Sequence, residues 1–196
     1  MDDRHRRVLL LGDSLRIAYQ PEVDRLLREE GIEVVGPAAS TGDSVTLADG
    51  IDEWLDRFSP DAVHFNAGLE DVRFVHAEGR NAVSIGDYGR SLTRVVDACK
   101  SRLGGDVIFA LTTPVNDEVQ CGGPGAAFDR CNRDIEEYNI AAQELMLAEN
   151  VLINHLDRVI IQRDDEFLAK DGASLTPAGV SAAAGAVADA IRSLWH

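Results

Sequence analysis

Four consecutive apolar residues, Val8 to Leu11, run into Gly12-Asp13-Ser14, and apolar positions then recur at helical spacing at Ile17, Val23, Leu26 and Leu27. This predicts a buried strand that stops abruptly and hands over to a helix, with Pro21 marking a start or a kink within it. The alternation recurs along the chain. Ile32–Val35, Ala62–Asn66, Val107–Leu111 and Val151–Leu156 are short apolar runs of strand type. Between them lie helical faces built on Leu47, Ile51, Trp54, Leu55 and Phe58, on Tyr88, Leu92, Val95, Val96 and Cys99, and on Ile135, Tyr138, Ala142, Leu145 and Met146. Gly31, Pro60, Gly104-Gly105 and Asn150 punctuate these segments, and Thr176 followed by Pro177 caps a final Ala-rich helix that runs toward Trp195. A second Gly-Asp-Ser, Gly42-Asp43-Ser44, has no apolar strand before it, so Asp43 or Ser44 reads as a helix N-cap. Two stretches lack a period: the one from Glu70 to about Ile85, and the Gly-rich one from Val115 to Asp129, read as a surface loop.

Five strands separated by helices require parallel crossovers, which predicts an α/β fold: one domain, residues 1–196, with a five-stranded parallel sheet in a three-layer α/β/α sandwich. In such a sheet ligands bind beyond the carboxyl ends of the strands. That edge collects Ser14, Gly42, Glu70, Asp171 and Ser174. The N-terminus of the helix after Ser14 adds free N–H groups suited to a developing anion.

Charge narrows the partners. The 196 residues carry a net charge of −15, from 19 basic and 34 acidic side chains, which repels nucleic acid and anionic membranes. No apolar run approaches the ~20 residues of a membrane span, and Met1 to Arg7 has no apolar leader character, so a cytoplasmic protein acting on a small-molecule substrate is expected, with homo- or hetero-oligomers left open. Cys99, Cys121 and Cys131 have no metal-ligand spacing and are expected as free thiols, pairing of Cys121 with Cys131 being the alternative. No cofactor and no metal are expected, and Asp164-Asp165-Glu166 reads as a solvated acidic turn.

Gly12-Asp13-Ser14 after the first strand, a Gly after the second, Gly68-Leu69-Glu70-Asp71 after the third and Asp171-Gly172-Ala173-Ser174-Leu175-Thr176 before the last helix resemble the ordered blocks of the SGNH/GDSL hydrolase family. Phe65 to Leu69, Thr112 to Val115 and Tyr138-Asn139 also resemble one bacterial branch of it. The resemblance spans nearly the whole chain and implies a flavodoxin-like sandwich. By position it implies Ser14 as nucleophile, Gly42 as an oxyanion donor and Asp171 as the orienting carboxylate. Two positions depart from the family's pattern: Ser174 stands where a His is expected, and Glu70 where the oxyanion Asn is expected.

Both departures bear on chemistry. A Ser hydroxyl has no pKa near neutrality and cannot serve as the base for another Ser, and loss of such a base costs about 10⁶ in turnover in a serine protease. An ionised Glu70 would repel an oxyanion at a place where losing one donor already costs ~3–4 kcal/mol. A replacement base could come from His155, at the end of the fifth strand; His64, His76, His5 and His196 are less well placed. Three functions follow. The first is a repurposed enzyme in which Glu70, Asp13 and Asp171 line an acidic cleft, with Gly42, Asn66, Ser174 and His155 around it. It would bind an amine and promote an intramolecular substitution, elimination or ring closure in specialised metabolism. The second is an esterase using Ser14 with an unusual base, and the third a non-catalytic subunit of a heteromer.

Overall fold

The computed structural model describes residues 6–122 and 126–195. Its main sheet holds β1 (Arg6–Leu11), β2 (Ile32–Val35), β3 (Ala62–Asn66), β6 (Val107–Ala110) and β8 (Leu152–Asn154). They are all parallel, in the order β2-β1-β3-β6-β8. The apolar runs explain the order. Val8 to Leu11 in β1, and all of β3 and β6, are buried, as strands covered on both faces must be, whereas β2 and β8 at the edges keep exposed positions.

The layers come from the amphipathic helices. One side carries α1 (Ser14–Arg28) packed on α8 (Pro177–Ser193), with the short α6 (Leu156–Ile161) and α7 (Asp164–Phe167) beside it. The other carries α2 (Ser44–Phe58), α3 (Ile85–Leu103) and α5 (Asn132–Ala148), packed in series. The five-stranded parallel α/β sandwich is therefore the observed architecture. No helix among the described residues is long and apolar enough to cross a membrane.

Several boundaries differ from the expectation. Helix α1 runs straight through Pro21, because Tyr19, Val23 and Leu27 are fully buried on its inner face. Burying three such side chains, at roughly 1.5–3 kcal/mol each, outweighs a proline penalty of about 3 kcal/mol. The fifth strand stops at Asn154. Leu156 and Ile160, both buried and four residues apart, draw the following residues into α6, so His155 sits at that helix's N-cap position and not at a strand end.

The two aperiodic stretches meet. β4 (Phe74–Val75), β5 (Arg80–Asn81) and β7 (Phe128–Asp129) form a small antiparallel sheet in the order β5-β4-β7, and α4 (Asp117–Gln120) precedes β7. Its strands are two residues long, too short for alternation to show in the sequence.

Gly68, just after β3, has φ +140°, and a Cβ there would lie 2.0 Å from Thr112 Oγ1, whose hydroxyl donates to Ala67 O. Gly79 also has positive φ, +64°, but open space around it. Gly68→Ala is therefore expected to lower thermal stability by clearly more than Gly79→Ala. The latter should cost only the left-handed penalty of about 1–2 kcal/mol, which paired calorimetry can measure.

Candidate active site

Ser14 lies exposed in the first turn of α1, where the chain leaves β1. The residues beneath it are tightly built. Gly12 has φ +154°, and any Cβ would fall 2.0 Å from Asn66 Oδ1, so the strand end and Asn66 meet only because Gly12 has no side chain. Asp13 caps α1 by accepting the Leu15 N–H at 2.9 Å and is hydrogen-bonded to Asn66, which in turn accepts from the Tyr19 hydroxyl at 3.3 Å. Burial pushes the Asp13 carboxyl above its ordinary value, while its bonds to Leu15 and Asn66 pull it back. Asp13 and Asn66 thus form a buried support under Ser14, and the structure does not place them as lining groups.

The loop after β2 is pinned from below by Arg16. This buried guanidinium donates to Pro37 O at 2.7 Å, Ala39 O at 2.6 Å and Gln20 Oε1 at 2.9 Å. Thr41 N–H then donates to Gly12 O at 2.9 Å, which brings Gly42 to the strand end. The Gly42 N–H, the expected oxyanion donor, already donates to Ser40 Oγ at 3.0 Å. Asp43 caps α2 at Thr46 N, and the Ser44 N–H donates to both oxygens of buried Asp71, at 3.0 and 3.2 Å. Asp71 thereby ties the start of α2 to the loop after β3, and burial pushes its carboxyl up to about 6.

Glu70 is not a bare carboxylate. Its Oε1 accepts from Arg130 Nη2 at 2.8 Å, and its Oε2 lies 3.2 Å from Arg73 Nε. The small sheet explains the cluster. Phe74 pairs with Asp129 and Val75 with Phe128, so the next step of the same register sets Arg73 opposite Arg130. Both guanidiniums lie over the Phe128 ring, at 5.4 and 4.8 Å. Like charges facing across strands destabilise a ribbon, and Glu70 sits between them as the counter-charge. Arg130 Nε also donates to Leu69 O at 2.7 Å, which anchors the cluster to the loop after β3.

Asp171 and Ser174 form one closed turn. Ser174 Oγ donates to Asp171 Oδ2 at 2.6 Å, and the N–H groups of Ala173 and Ser174 donate to Oδ1 at 3.0 and 2.9 Å. These bonds, the Ser174 hydroxyl first, hold the Asp171 carboxyl below its ordinary value. The aspartate that would orient an imidazole in the family's pattern therefore orients a hydroxyl. No described histidine is hydrogen-bonded to Ser14. His64 is buried in β3 against Asn154 at 3.2 Å, and burial lowers its imidazole to about 4. His76 lies 3.3 Å from Asp129, and His155 lies 3.8 Å from Asp157 with no hydrogen-bond partner on Nδ1. His5 and His196 fall outside the described residues.

The expectation of free thiols is corrected. Cys121 and Cys131 form a disulfide, and only Cys99 is a free, buried thiol. Sequence spacing weighed against a bond that proximity makes: α4 and β7 bring Gln120 and Arg130 together, with Arg130 N–H donating to Gln120 O at 2.8 Å, and the two cysteines are the next residues along. Gln120 Nε2 donates onward to Asp171 O at 2.6 Å. The disulfide therefore staples a bridge between Glu70 on one side and the Asp171 turn on the other. Disulfides are rare in reducing compartments, so this bond pulls against the cytoplasmic expectation.

Among the described residues no group of three or more His, Cys, Asp or Glu side chains could hold a metal. Sequence reasoning missed Arg16, Arg73 and Arg130. None has a local signature, and the two arginines flanking Glu70 become neighbours only through pairing across more than fifty residues.

No family profile and no curated protein sequence matches the chain. Solved structures do. A lipase/acylhydrolase from Enterococcus faecalis superposes with a TM-score of 0.81 at 19% identity, covering 96% of each chain. The acetylxylan esterase Axe2 from Geobacillus stearothermophilus gives 0.76 at 19% identity, over 95% of this chain and 94% of that one. A GDSL-like lipase from Bacteroides thetaiotaomicron gives 0.74 at 18% identity, over 97% and 89%. At these identities the likeness establishes the fold: the chain has the SGNH/GDSL hydrolase fold.

The raised value of Asp71 carries a pH signature. Its folded carboxyl holds a proton up to about 6, against 3.8 ordinarily, so the folded state binds more protons between those values and this group's contribution to stability falls as pH rises. Denaturant unfolding of wild type and Asp71→Asn from pH 4 to 7 should show the wild type losing stability relative to the variant, by about 2–3 kcal/mol in all. A difference independent of pH contradicts this. Reducing the Cys121–Cys131 bond, or replacing both cysteines by Ser, is expected to lower stability by about 3 kcal/mol or less in urea titrations, with Cys99→Ser insensitive to reductant.

Proposed function

We propose that this chain acts on a small amine-bearing substrate without forming an acyl-serine: a non-hydrolytic use of the SGNH/GDSL hydrolase fold, in keeping with a role in specialised metabolism. The observation that carries the reading is the pairing of Ser174 Oγ with Asp171 at 2.6 Å, together with Glu70 held between Arg130 and Arg73. The first leaves Ser14 without a general base. The second supports reading position 70, where the family's pattern expects a neutral oxyanion donor, as a carboxylate held with its counter-charges.

The chemistry open to such a cleft is proton transfer and positioning. A substrate ammonium gives its proton to a carboxylate, with Glu70 the candidate acceptor once a substrate group relieves it of a guanidinium. The freed nitrogen lone pair then forms a C–N bond within the same molecule, and the leaving group departs with the electrons of the bond it breaks. Holding both ends of the substrate in one geometry supplies the rate, as in other intramolecular reactions. Ser14 and the N-terminus of α1 would bind and orient the substrate. Esterase chemistry through Ser14 is the rival reading, favoured by the exposure of its hydroxyl and by the esterases and lipases among the structural neighbours.

Two measurements separate the readings. Hydrolysis of p-nitrophenyl acetate by the wild type is expected to match that of Ser14→Ala, and a fluorophosphonate probe should leave Ser14 unlabelled. Ser174→His alone is expected to yield at best feeble hydrolysis, because Glu70 stays in place. A Ser14-dependent burst of nitrophenol, or stoichiometric labelling of Ser14, would overturn the proposal in favour of the esterase.

A further inference from the structure

We infer that Arg130, with Arg73 opposite it on the ribbon, is a carboxylate-recognition pair, and that Glu70 is its resident stand-in, displaced when a substrate bearing both an amine and a carboxylate enters. The inference rests on the non-hydrolytic reading above and names the substrate class for that same site: an amino-acid-like zwitterion.

The first argument is stoichiometry. Two guanidiniums face each other across β4 and β7 and share a single carboxylate, with one ion pair at 2.8 Å and one at 3.2 Å. Each Glu70 oxygen meets only one arginine, so neither pair has the two-point fork geometry in which guanidinium and carboxylate bind best. Arg130 has five N–H donors. Three hydrogen bonds from it are formed, by Nε to Leu69 O, Nη1 to Gln120 Oε1 at 3.3 Å and Nη2 to Glu70 Oε1, which leaves donor capacity for a second oxygen.

The second argument is preorganisation. The Arg130 side chain is only 11% exposed, held by Leu69, Gln120 and the Phe128 ring, so its charge needs no ordering when a ligand arrives. Glu70 is more open, at 24%, so solvent reaches the carboxylate that must move. The other charged groups that act on Arg130 are Asp13, buried below, and Asp171, across the Gln120 bridge. Asp13 is committed to the α1 cap and to Asn66, and Asp171 to its own turn. Of these three acids, Glu70 is thus the one whose side-chain bonds are all to groups that also suit a ligand carboxylate. Exchange makes the two roles cooperate: as the substrate carboxylate takes the guanidiniums, Glu70 is released beside the substrate's ammonium, ready to accept its proton. No covalent bond changes in this step.

The test uses sodium acetate as the probe, titrated against sodium chloride at equal ionic strength. The signal is the Arg130 Nε–H resonance in 15N spectra, assigned by its loss in Arg130→Lys. In Glu70→Ala, which keeps the residue 70 carbonyl that accepts from Arg73 Nε but leaves no carboxylate between the arginines, acetate should bind saturably. Its affinity should exceed that of the wild type by about tenfold or more, the scale of one lost competing charged hydrogen bond. Glu70→Gln should behave in the same direction, and Arg90 and Arg28, exposed and remote in sequence, should not shift. If acetate leaves the Arg130 resonance unmoved in both variants while their near-ultraviolet circular dichroism remains native, or binds them no better than the wild type, the carboxylate assignment is wrong. Fluorophosphonate labelling of Ser14 in the wild type tells the two failures apart. Labelling sinks the non-hydrolytic reading, whereas silent acetate with unlabelled Ser14 sinks only the carboxylate.

Discussion

A parallel sheet must be dry on both faces, and the place of the candidate site follows from that constraint. With Val8 to Leu11 of β1 and all of β3 and β6 buried, helices have to cover both sides, and each crossover delivers its loop to the same carboxyl edge. The loops that carry Ser14, Gly42 and Glu70 lie at that edge because the strands that precede them are adjacent in the order β2-β1-β3. Close packing at the strand ends then needs residues without side chains, which is the role of Gly12 under Asn66 and Gly68 against Thr112.

At that edge four acidic residues have been given different work by their surroundings. Asp13 and Asp71 are buried and serve backbone N–H groups, one at the start of α1 and one at the start of α2. Asp171 closes a tight turn with Ser174. Glu70 alone faces cations. A count of carboxylates in the sequence suggests an acidic hollow, whereas the folded chain has a mixed-charge site in which Arg130 ties the loop after β3, through Leu69 and Glu70, to Gln120 at the end of α4.

The sheet, its helices and the position of Ser14 were legible in the sequence because they depend on local periodicity: an apolar run buries as a strand wherever it occurs. Ser174 and Glu70 were legible as departures because each stands at a fixed distance from a recognisable block. The arginines were not. Arg73 and Arg130 lie beside two-residue strands that no pattern can announce, and their opposition is a product of the pairing of Phe74 with Asp129. The disulfide was hidden for the same reason, since it depends on α4 and β7 bringing Gln120 next to Arg130. His155 shows the reverse failure. Its apolar neighbours read as strand, but the four-residue spacing of Leu156 and Ile160 won, and the helix carried the imidazole into contact range of Asp157 instead.

The ribbon that carries Arg73 and Arg130 also shapes what this chain can become. On the non-hydrolytic reading proposed above, the family's pattern would be restored by an imidazole at position 174 and a neutral donor at position 70. Neutralising position 70 strands two facing guanidiniums over one phenyl ring, so at least one arginine must change as well. Each intermediate on that path loses something before anything is gained: a counter-charge, a ribbon contact, or the tie from Arg130 to Leu69 that holds the loop after β3. The ion-pair cluster makes these positions interdependent. It ties positions 70, 73 and 130 into one unit, a coupling that a comparison of the sheets alone does not reveal.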